Sequence, residues 1–212
     1  MAGIRQAYLT AAATAAELLA DPGVPARWAA PSVLPEFGVR GLAGHLAAQI
    51  FQVRQVLAVE VPDEPAIDLL EHYARASWAG AELDDEANVR IRQTGAEVAG
   101  SDAGALAARV TATLDELRVG LPMERADRLV HLPWGPWSLR LDDFLVTRMM
   151  EIAVHSDDLA VSVGLPTPEL PEEVLAPVFN LLTRLAVRRH GPTALLRALT
   201  RAERAPASIA AI

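Results

Sequence analysis

The chain has 212 residues, no cysteine and a formal charge of −8 at pH 7, and all 19 of its Lys and Arg residues are Arg. Without cysteine the protein cannot form disulfides, bind metal through thiolates or use a thiol of its own as a nucleophile, which fits a reducing cytoplasm. Its negative charge disfavours nucleic acid and anionic membranes, so we expect neither as a partner.

The composition favours helices. The hydrophobic fraction is 51%, much of it Ala, whereas aromatic residues make up only 5%. No uncharged run approaches the ~20 apolar residues that span a bilayer, so we expect no transmembrane helix. The Ala-rich N-terminal segment is interrupted by Glu17 and Asp21 and is therefore interpreted as a first helix rather than a signal peptide.

Pro and Gly divide the chain into helical segments. In chain order we predict helices at about 4–20, 39–59, 66–99 with a break around Gly80, 103–117, 142–163, 171–189 and 192–203. Asp84, Asp85 and Glu86 are interpreted as the solvated first turn of the helix that resumes after the break. The stretch 129–141 has β-type residues around a Gly-Pro turn, which predicts a short extended or hairpin segment. The pattern predicts an all-α helical bundle.

Two of these helices carry polar stripes. On the helix at 142–163, spacings of four and three place on one face Phe144, Arg148, Glu151, His155, Asp158 and Ser162. Most other positions of this helix are apolar, which predicts that it is largely buried. On the helix at 39–59, the corresponding stripe holds Leu42, His45, Gln49, Gln52 and Val56.

If these stripes face each other, His45, Glu151 and His155 are candidate metal ligands. Glu151 and His155 are four residues apart and project side by side. Beside His45, Ala43 and Gly44 are small and are expected to leave room near the imidazole. Two imidazoles and one carboxylate suit Zn²⁺ and leave a coordination position open, as catalytic sites do.

Spacing alone leaves other interpretations open. His45 could be an ordinary helix histidine, Glu151 and His155 could form a surface pair, and the stripe could face solvent. Asp158 is either a carboxylate that orients a metal-bound imidazole or one more solvated acid.

The other histidines have no partner at ligand spacing. His72 lies in a middle helix, His131 is expected to pack under Trp134, and His190 is expected to cap a helix C-terminus. Trp134 and Trp137 either wall a pocket or pack in the core. No P-loop, nucleophile-elbow, dinucleotide-binding or H-E-x-x-H motif is present in the sequence.

Two segments resemble the DinB-like metalloproteins, most closely the N-terminal, metal-binding domain of the mycothiol-dependent maleylpyruvate isomerase family. They are Gly-Leu-Ala-Gly-His-Leu at 41–46 and Thr-Arg-x-x-Glu-x-x-x-His-x-x-Asp-Leu at 147–159. The resemblance runs from the first helix to about Pro166 and includes Pro-Trp-Gly-Pro at 133–136. It implies a four-helix bundle over 1–166, and we interpret 167–212 as a helical extension packed on the same domain.

The resemblance also implies a site. In it, His45, Glu151 and His155 hold a divalent metal, usually zinc, which the enzymes of the family use to activate a low-molecular-weight thiol such as mycothiol. The expected protein is then a thiol transferase or isomerase acting on a small electrophile. Arg148 is the candidate for binding an anionic group of the thiol or substrate, and Asp158 the candidate for orienting a ligand.

Two features depart from the family pattern. Phe37-Gly38 stands where the family often has Trp followed by Ser or Thr, and the residues after Pro166 predict two helices and a tail instead of the isomerase's additional C-terminal domain. The sequence therefore leaves the reaction open. A hydrolase using metal-bound water, a non-catalytic metal-binding or regulatory module and a plain bundle are the alternatives, and a homodimer is one candidate assembly.

Overall fold

The computed structural model describes residues 3–76 and 82–212, and these ranges are predominantly helical, as predicted. The helices are α1 (Ile4–Ala20), α2 (Gly23–Ala26), α3 (Val39–Leu57), α4 (Leu69–Arg75), α5 (Glu86–Ala99), α6 (Ala103–Gly120), α7 (Leu141–Val163), α8 (Glu172–His190) and α9 (Pro192–Thr200). Strands β1 (Leu129–His131) and β2 (Ser138–Arg140) form the predicted hairpin, with Val130 opposite Leu139.

The helix boundaries follow the turn residues. Helix α1 has the predicted bounds, and α7 ends where Gly164 adopts a left-handed φ of 76°. Helix α3 ends two residues before the predicted position 59, α9 ends at Thr200, and the short α2 was not predicted. The predicted break around Gly80 lies outside the described residues. Helix α5 begins at Glu86 with Asp85 as its N-cap, so the acidic run does open this helix.

Helices α1, α3, α6 and α7 form the bundle, because α1 and α3 each pack against both α6 and α7. Helix α1 buries Tyr8, Ala12, Ala15 and Leu19, which recur at helical spacing, and its small side chains let the neighbouring helices approach closely. Helix α8 packs on α7, α1 and α4 through an apolar face, so the C-terminal part of the chain contacts the bundle. No helix in the described ranges is both long and apolar enough to span a membrane.

Helices α3 and α5 cross at positions that have no side chain. A Cβ on Gly44 would lie 1.9 Å from the carbonyl oxygen of Gly95 and 2.7 Å from the backbone nitrogen of Ala99. A Cβ on Gly95 would lie 2.6 Å from the carbonyl oxygen of Gly41. The small size of Gly44 thus permits the α3–α5 crossing, which fixes the backbone next to His45. The expected room beside the His45 imidazole stays a prediction.

Candidate metal centre

Helices α3 and α7 bring His45, Glu151 and His155 together. Nε2 of His45 lies 3.2 Å from Oε2 of Glu151, and Nε2 of His155 lies 3.3 Å from the same oxygen. The three potential ligand atoms all lie within 4.8 Å of one another. The two imidazole rings are perpendicular, with centroids 4.7 Å apart. The polar stripes of the two helices thus meet, while the role of these residues as ligands stays a prediction.

The donor set fits a divalent metal. Zinc accepts imidazole nitrogen and carboxylate oxygen at ~2.0–2.2 Å, so its tetrahedral ligands stand about 3.3 Å apart, close to the separations found here. The side chains of His45, Glu151 and His155 are 17%, 12% and 19% exposed. The cluster is thus partly exposed rather than sealed inside the bundle. Three protein donors are also the number that catalytic zinc sites use.

Asp158 supports the outer ring nitrogen of His155. Its Oδ2 lies 2.9 Å from Nδ1 of His155, three residues earlier on α7. A carboxylate at Nδ1 holds a proton there, so that Nε2 is the nitrogen that would bind a metal. Metal-binding histidines commonly have such a partner. Asp158 thus contacts His155 as an orienting residue would, and that role stays a prediction.

Gln49 belongs to the same cluster, although the sequence placed it on the stripe without a role. Its Nε2 donates to the backbone oxygen of His45 at 2.8 Å and lies 3.4 Å from Nε2 of His45. Its Oε1 accepts a hydrogen bond from Nη1 of Arg148 at 2.7 Å. The signal that could have found it is its spacing, one helical turn after His45 on the same face.

Arg148 is a buried cation, only 7% exposed. Its Nη1 donates to Oε1 of Gln49 and, at 2.6 Å, to Oε1 of Gln52, and its Cζ lies 5.3 Å from the Trp134 ring and 5.1 Å from the Phe144 ring. Within the described ranges, Arg148 forms no ion pair with a carboxylate. In this part of the chain its charge is thus met by neutral oxygens and aromatic faces.

The contacts within the cluster keep the Glu151 carboxyl ionised. Burial raises the pKa of the Glu151 carboxyl, but the contacts with His155 and His45 outweigh it and hold that pKa well below its usual range. Burial lowers the pKa of His45. Burial also lowers the pKa of His155, but the contacts with Asp158 and Glu151 prevail and raise it to about 9. Glu151 is therefore an anion at neutral pH, the form that can bind a cation.

His72, Trp137 and Trp134 lie outside the His45, Glu151 and His155 cluster and contact other side chains. Nδ1 of the buried His72 accepts a hydrogen bond from Nε1 of Trp137 at 3.1 Å. Trp134 is 45% exposed and lies against the Arg148 guanidinium, so it stands beside the candidate metal centre rather than in the core.

The last two histidines lie outside the cluster. His131 is exposed, and its Nδ1 lies 2.7 Å from Oε1 of Glu64. Nε2 of His190 donates to the carbonyl oxygen of Ala210 at 2.8 Å, so this side chain holds the C-terminal tail instead of capping its own helix.

The part of the chain that contains the cluster matches a known protein family. The family model of the mycothiol maleylpyruvate isomerase N-terminal domain matches residues 8–160. This range includes α3 and most of α7, with His45, Glu151 and His155. No curated protein and no solved structure matches the chain.

Proposed function

Because the chain belongs to the mycothiol maleylpyruvate isomerase N-terminal domain family, we propose that it binds a divalent metal and activates a small thiol of the mycothiol type. The thiol then attacks a small electrophile, which is either conjugated or isomerised. His45, Glu151 and His155 are the proposed ligands, and zinc is the proposed metal. The observation that carries the proposal is the meeting of these three donors within 4.8 Å on two packed helices.

The charges of the cluster residues determine which further ligand a bound metal would favour. A bound divalent ion would lower the pKa of a thiol from about 8.5, so that thiolate exists at neutral pH. Metal binding would displace the proton that the raised pKa of His155 favours. His45 and His155 would then bind as neutral imidazoles, and Glu151 would contribute one negative charge. The centre therefore retains one positive charge, which favours an anionic fourth ligand such as a thiolate. Since the chain has no cysteine, that thiol must belong to a small molecule.

Arg148 is proposed to bind an anionic group of the thiol or the electrophile. A buried guanidinium that meets only neutral partners has lost hydration without gaining a counter-charge. An anionic group of a ligand would supply that charge, next to Gln49 and hence next to His45. The exposed part of Trp134 would give the same ligand an apolar wall.

Metal analysis of the purified protein tests the ligand set. The wild type should hold about one equivalent of divalent metal, and Glu151→Gln should lose it, because a site short of its only anionic ligand binds weakly. Glu64→Gln is the matched control, since Glu64 also contacts a histidine but lies outside the cluster. Equal metal content in the wild type and Glu151→Gln would contradict the assignment.

Cobalt substitution tests thiol activation. A thiolate bound to Co²⁺ produces an intense charge-transfer absorption, so mycothiol added to the Co²⁺-loaded protein should generate this band. Arg148→Met should weaken the binding if an anionic group of the thiol contacts the guanidinium. A metal-loaded protein that gives no thiolate band would favour the alternative in which metal-bound water acts as the nucleophile.

A further inference from the structure

We infer that Gln49 contacts the small-molecule ligand of the metal centre, by donating a side-chain N–H to the ligand atom held beside His45. In the proposed function that atom is a thiolate sulfur, so the inference rests on the proposed function for the ligand's identity. Three observations carry it: the orientation of the Gln49 amide, its spare hydrogen and its burial.

Two partners fix the orientation of the Gln49 amide. Its Oε1 accepts from Nη1 of Arg148 at 2.7 Å, and its Nε2 donates to the backbone oxygen of His45 at 2.8 Å. A guanidinium only donates, and a carbonyl oxygen only accepts. In the reversed orientation, the NH₂ group of Gln49 would face the Arg148 guanidinium, which is also a donor. Its oxygen would face the carbonyl oxygen of His45, which is also an acceptor. The nitrogen of Gln49 therefore faces His45.

This nitrogen has one hydrogen to spare. It carries two hydrogens, and the backbone oxygen of His45 accepts only one of them. The nearest ring atom is Nε2 of His45, 3.4 Å away. If Nε2 gives its lone pair to a metal, it can no longer accept a hydrogen bond. The second N–H of Gln49 then needs a different acceptor in the same place.

The burial of Gln49 makes an acceptor for its second N–H necessary. Gln49 is 1% exposed, so water cannot readily serve its second N–H, and a buried donor without an acceptor is destabilising. An anionic ligand atom beside His45 meets the requirement, and hydrogen bonds to charged acceptors are the stronger kind. Because Arg148 and the His45 backbone already hold the amide, no rearrangement is needed when the ligand binds. Gln49 should therefore stabilise the thiolate form of a bound thiol.

Gln49→Met tests this role, because Met has a similar length and lacks the N–H. In the Co²⁺-loaded protein, affinity for mycothiol, measured by the thiolate-to-cobalt absorption, should fall about tenfold to a hundredfold. Affinity for Co²⁺ itself should fall less than the affinity for mycothiol does, because Gln49 is not a proposed ligand and its 2.8 Å hydrogen bond goes to the backbone oxygen of His45. Gln52→Met is the matched control: Gln52 also accepts from Nη1 of Arg148, but no hydrogen bond joins it to His45 in the described chain. This control should retain the wild-type thiol affinity.

Gln49→Glu gives a second, independent measurement. It keeps the shape of the side chain but places a carboxylate oxygen where the N–H was, so thiol affinity should fall while Co²⁺ affinity is kept or increased. Unchanged thiol affinity in Gln49→Met and Gln49→Glu, or an equal loss in Gln52→Met, would overturn the inference. A wild-type protein that binds Co²⁺ but gives no thiolate band would instead overturn the proposed function, and the inference with it.

Discussion

Among the residues that the structure describes, two groupings of histidine with glutamate have the same chemistry and opposite settings. In the buried cluster of His45, Glu151 and His155, one carboxylate oxygen meets two imidazoles, and the Glu151 side chain is only 12% exposed. In the exposed pair, Glu64 contacts the imidazole of His131 at 2.7 Å, and both side chains are about 45% exposed. Ser138 donates a further hydrogen bond to Glu64 at 2.8 Å.

The difference lies in the scaffold. The buried cluster stands on two long helices of the bundle, where Asp158 contacts the outer ring nitrogen of His155 and Gln49 donates to the backbone oxygen of His45. The exposed pair joins a loop to a two-stranded hairpin, where water screens the interaction and each donor can find other partners. Convergence of several donors on rigid, partly buried elements therefore distinguishes a candidate metal site from an ordinary ion pair.

The largest effect is expected from Gly44→Ala, which removes the rigidity of the buried cluster without changing a donor. The new Cβ would lie 1.9 Å from the Gly95 carbonyl oxygen, so the backbones of α3 and α5 must separate. We expect the free energy of unfolding to fall by roughly 3 kcal/mol. Metal affinity should also fall, because His45 is the next residue. Urea denaturation and metal analysis measure the two effects.

Gly120→Ala is the control for that substitution. Gly120 is the last residue of α6, and a Cβ there would meet nothing within 4 Å. Ala at this position should be neutral or stabilising by up to about 1 kcal/mol. If Gly44→Ala proved as stable as Gly120→Ala and kept its metal, the α3–α5 crossing would not be what positions His45.

The next prediction concerns Asp158→Asn. Asp158 contacts His155 from the same helix, whereas strand β1 supplies no such partner to the exposed His131. Removing the charge behind His155 weakens its support as a donor, so zinc affinity should fall about tenfold to a hundredfold. Competition with a chromophoric zinc chelator measures this. Asp157→Asn is the matched control, because the neighbouring Asp157 accepts a hydrogen bond from Thr167 instead. Equal affinities in the two variants would show that Asp158 does not support a ligand.

Helical periodicity explains how much of the buried cluster could be predicted. Spacings of four and three fix which residues share a face, so the sequence could place Glu151, His155 and Asp158 on one side of α7. The hydrogen bond between Asp158 and His155 follows from that spacing. The same rule placed His45 on the inner stripe of α3.

Distances between helices could not be predicted in this way. The contact of Gly44 with Gly95 depends on how α3 crosses α5, and neither helix contains that information alone. The same holds for Arg148, whose contact with Gln49 joins two helices far apart in sequence. The partner of His131 was missed for a similar reason, because Glu64 lies in a loop without periodicity.

His72 tests how burial changes the pKa of an imidazole, separately from the effect of neighbouring carboxylates. Of the predictions made here, it has the smallest expected effect. It is buried, but its Nδ1 accepts a hydrogen bond from Nε1 of Trp137, which only a neutral imidazole can do. Burial and then the charge of Arg148 lower its pKa from 6.5 to about 4. The unfolded chain therefore takes up a proton at a higher pH than the folded protein. The stability that this residue contributes is complete above pH 6.5 and is lost as the pH falls towards 4.

His72→Gln should remove this part of the pH dependence. Gln keeps an acceptor for Trp137 but does not titrate, so the variant should lose about 1 kcal/mol less than the wild type between pH 6.5 and pH 5.5. Urea denaturation of both proteins at the two pH values measures the difference, in which the contributions of the other histidines cancel. Equal losses would mean that the folded protein protonates His72 as easily as the unfolded chain does. Burial without a carboxylate would then not suffice to keep an imidazole neutral in this bundle, and the contrast between His72 and His155 would need another cause.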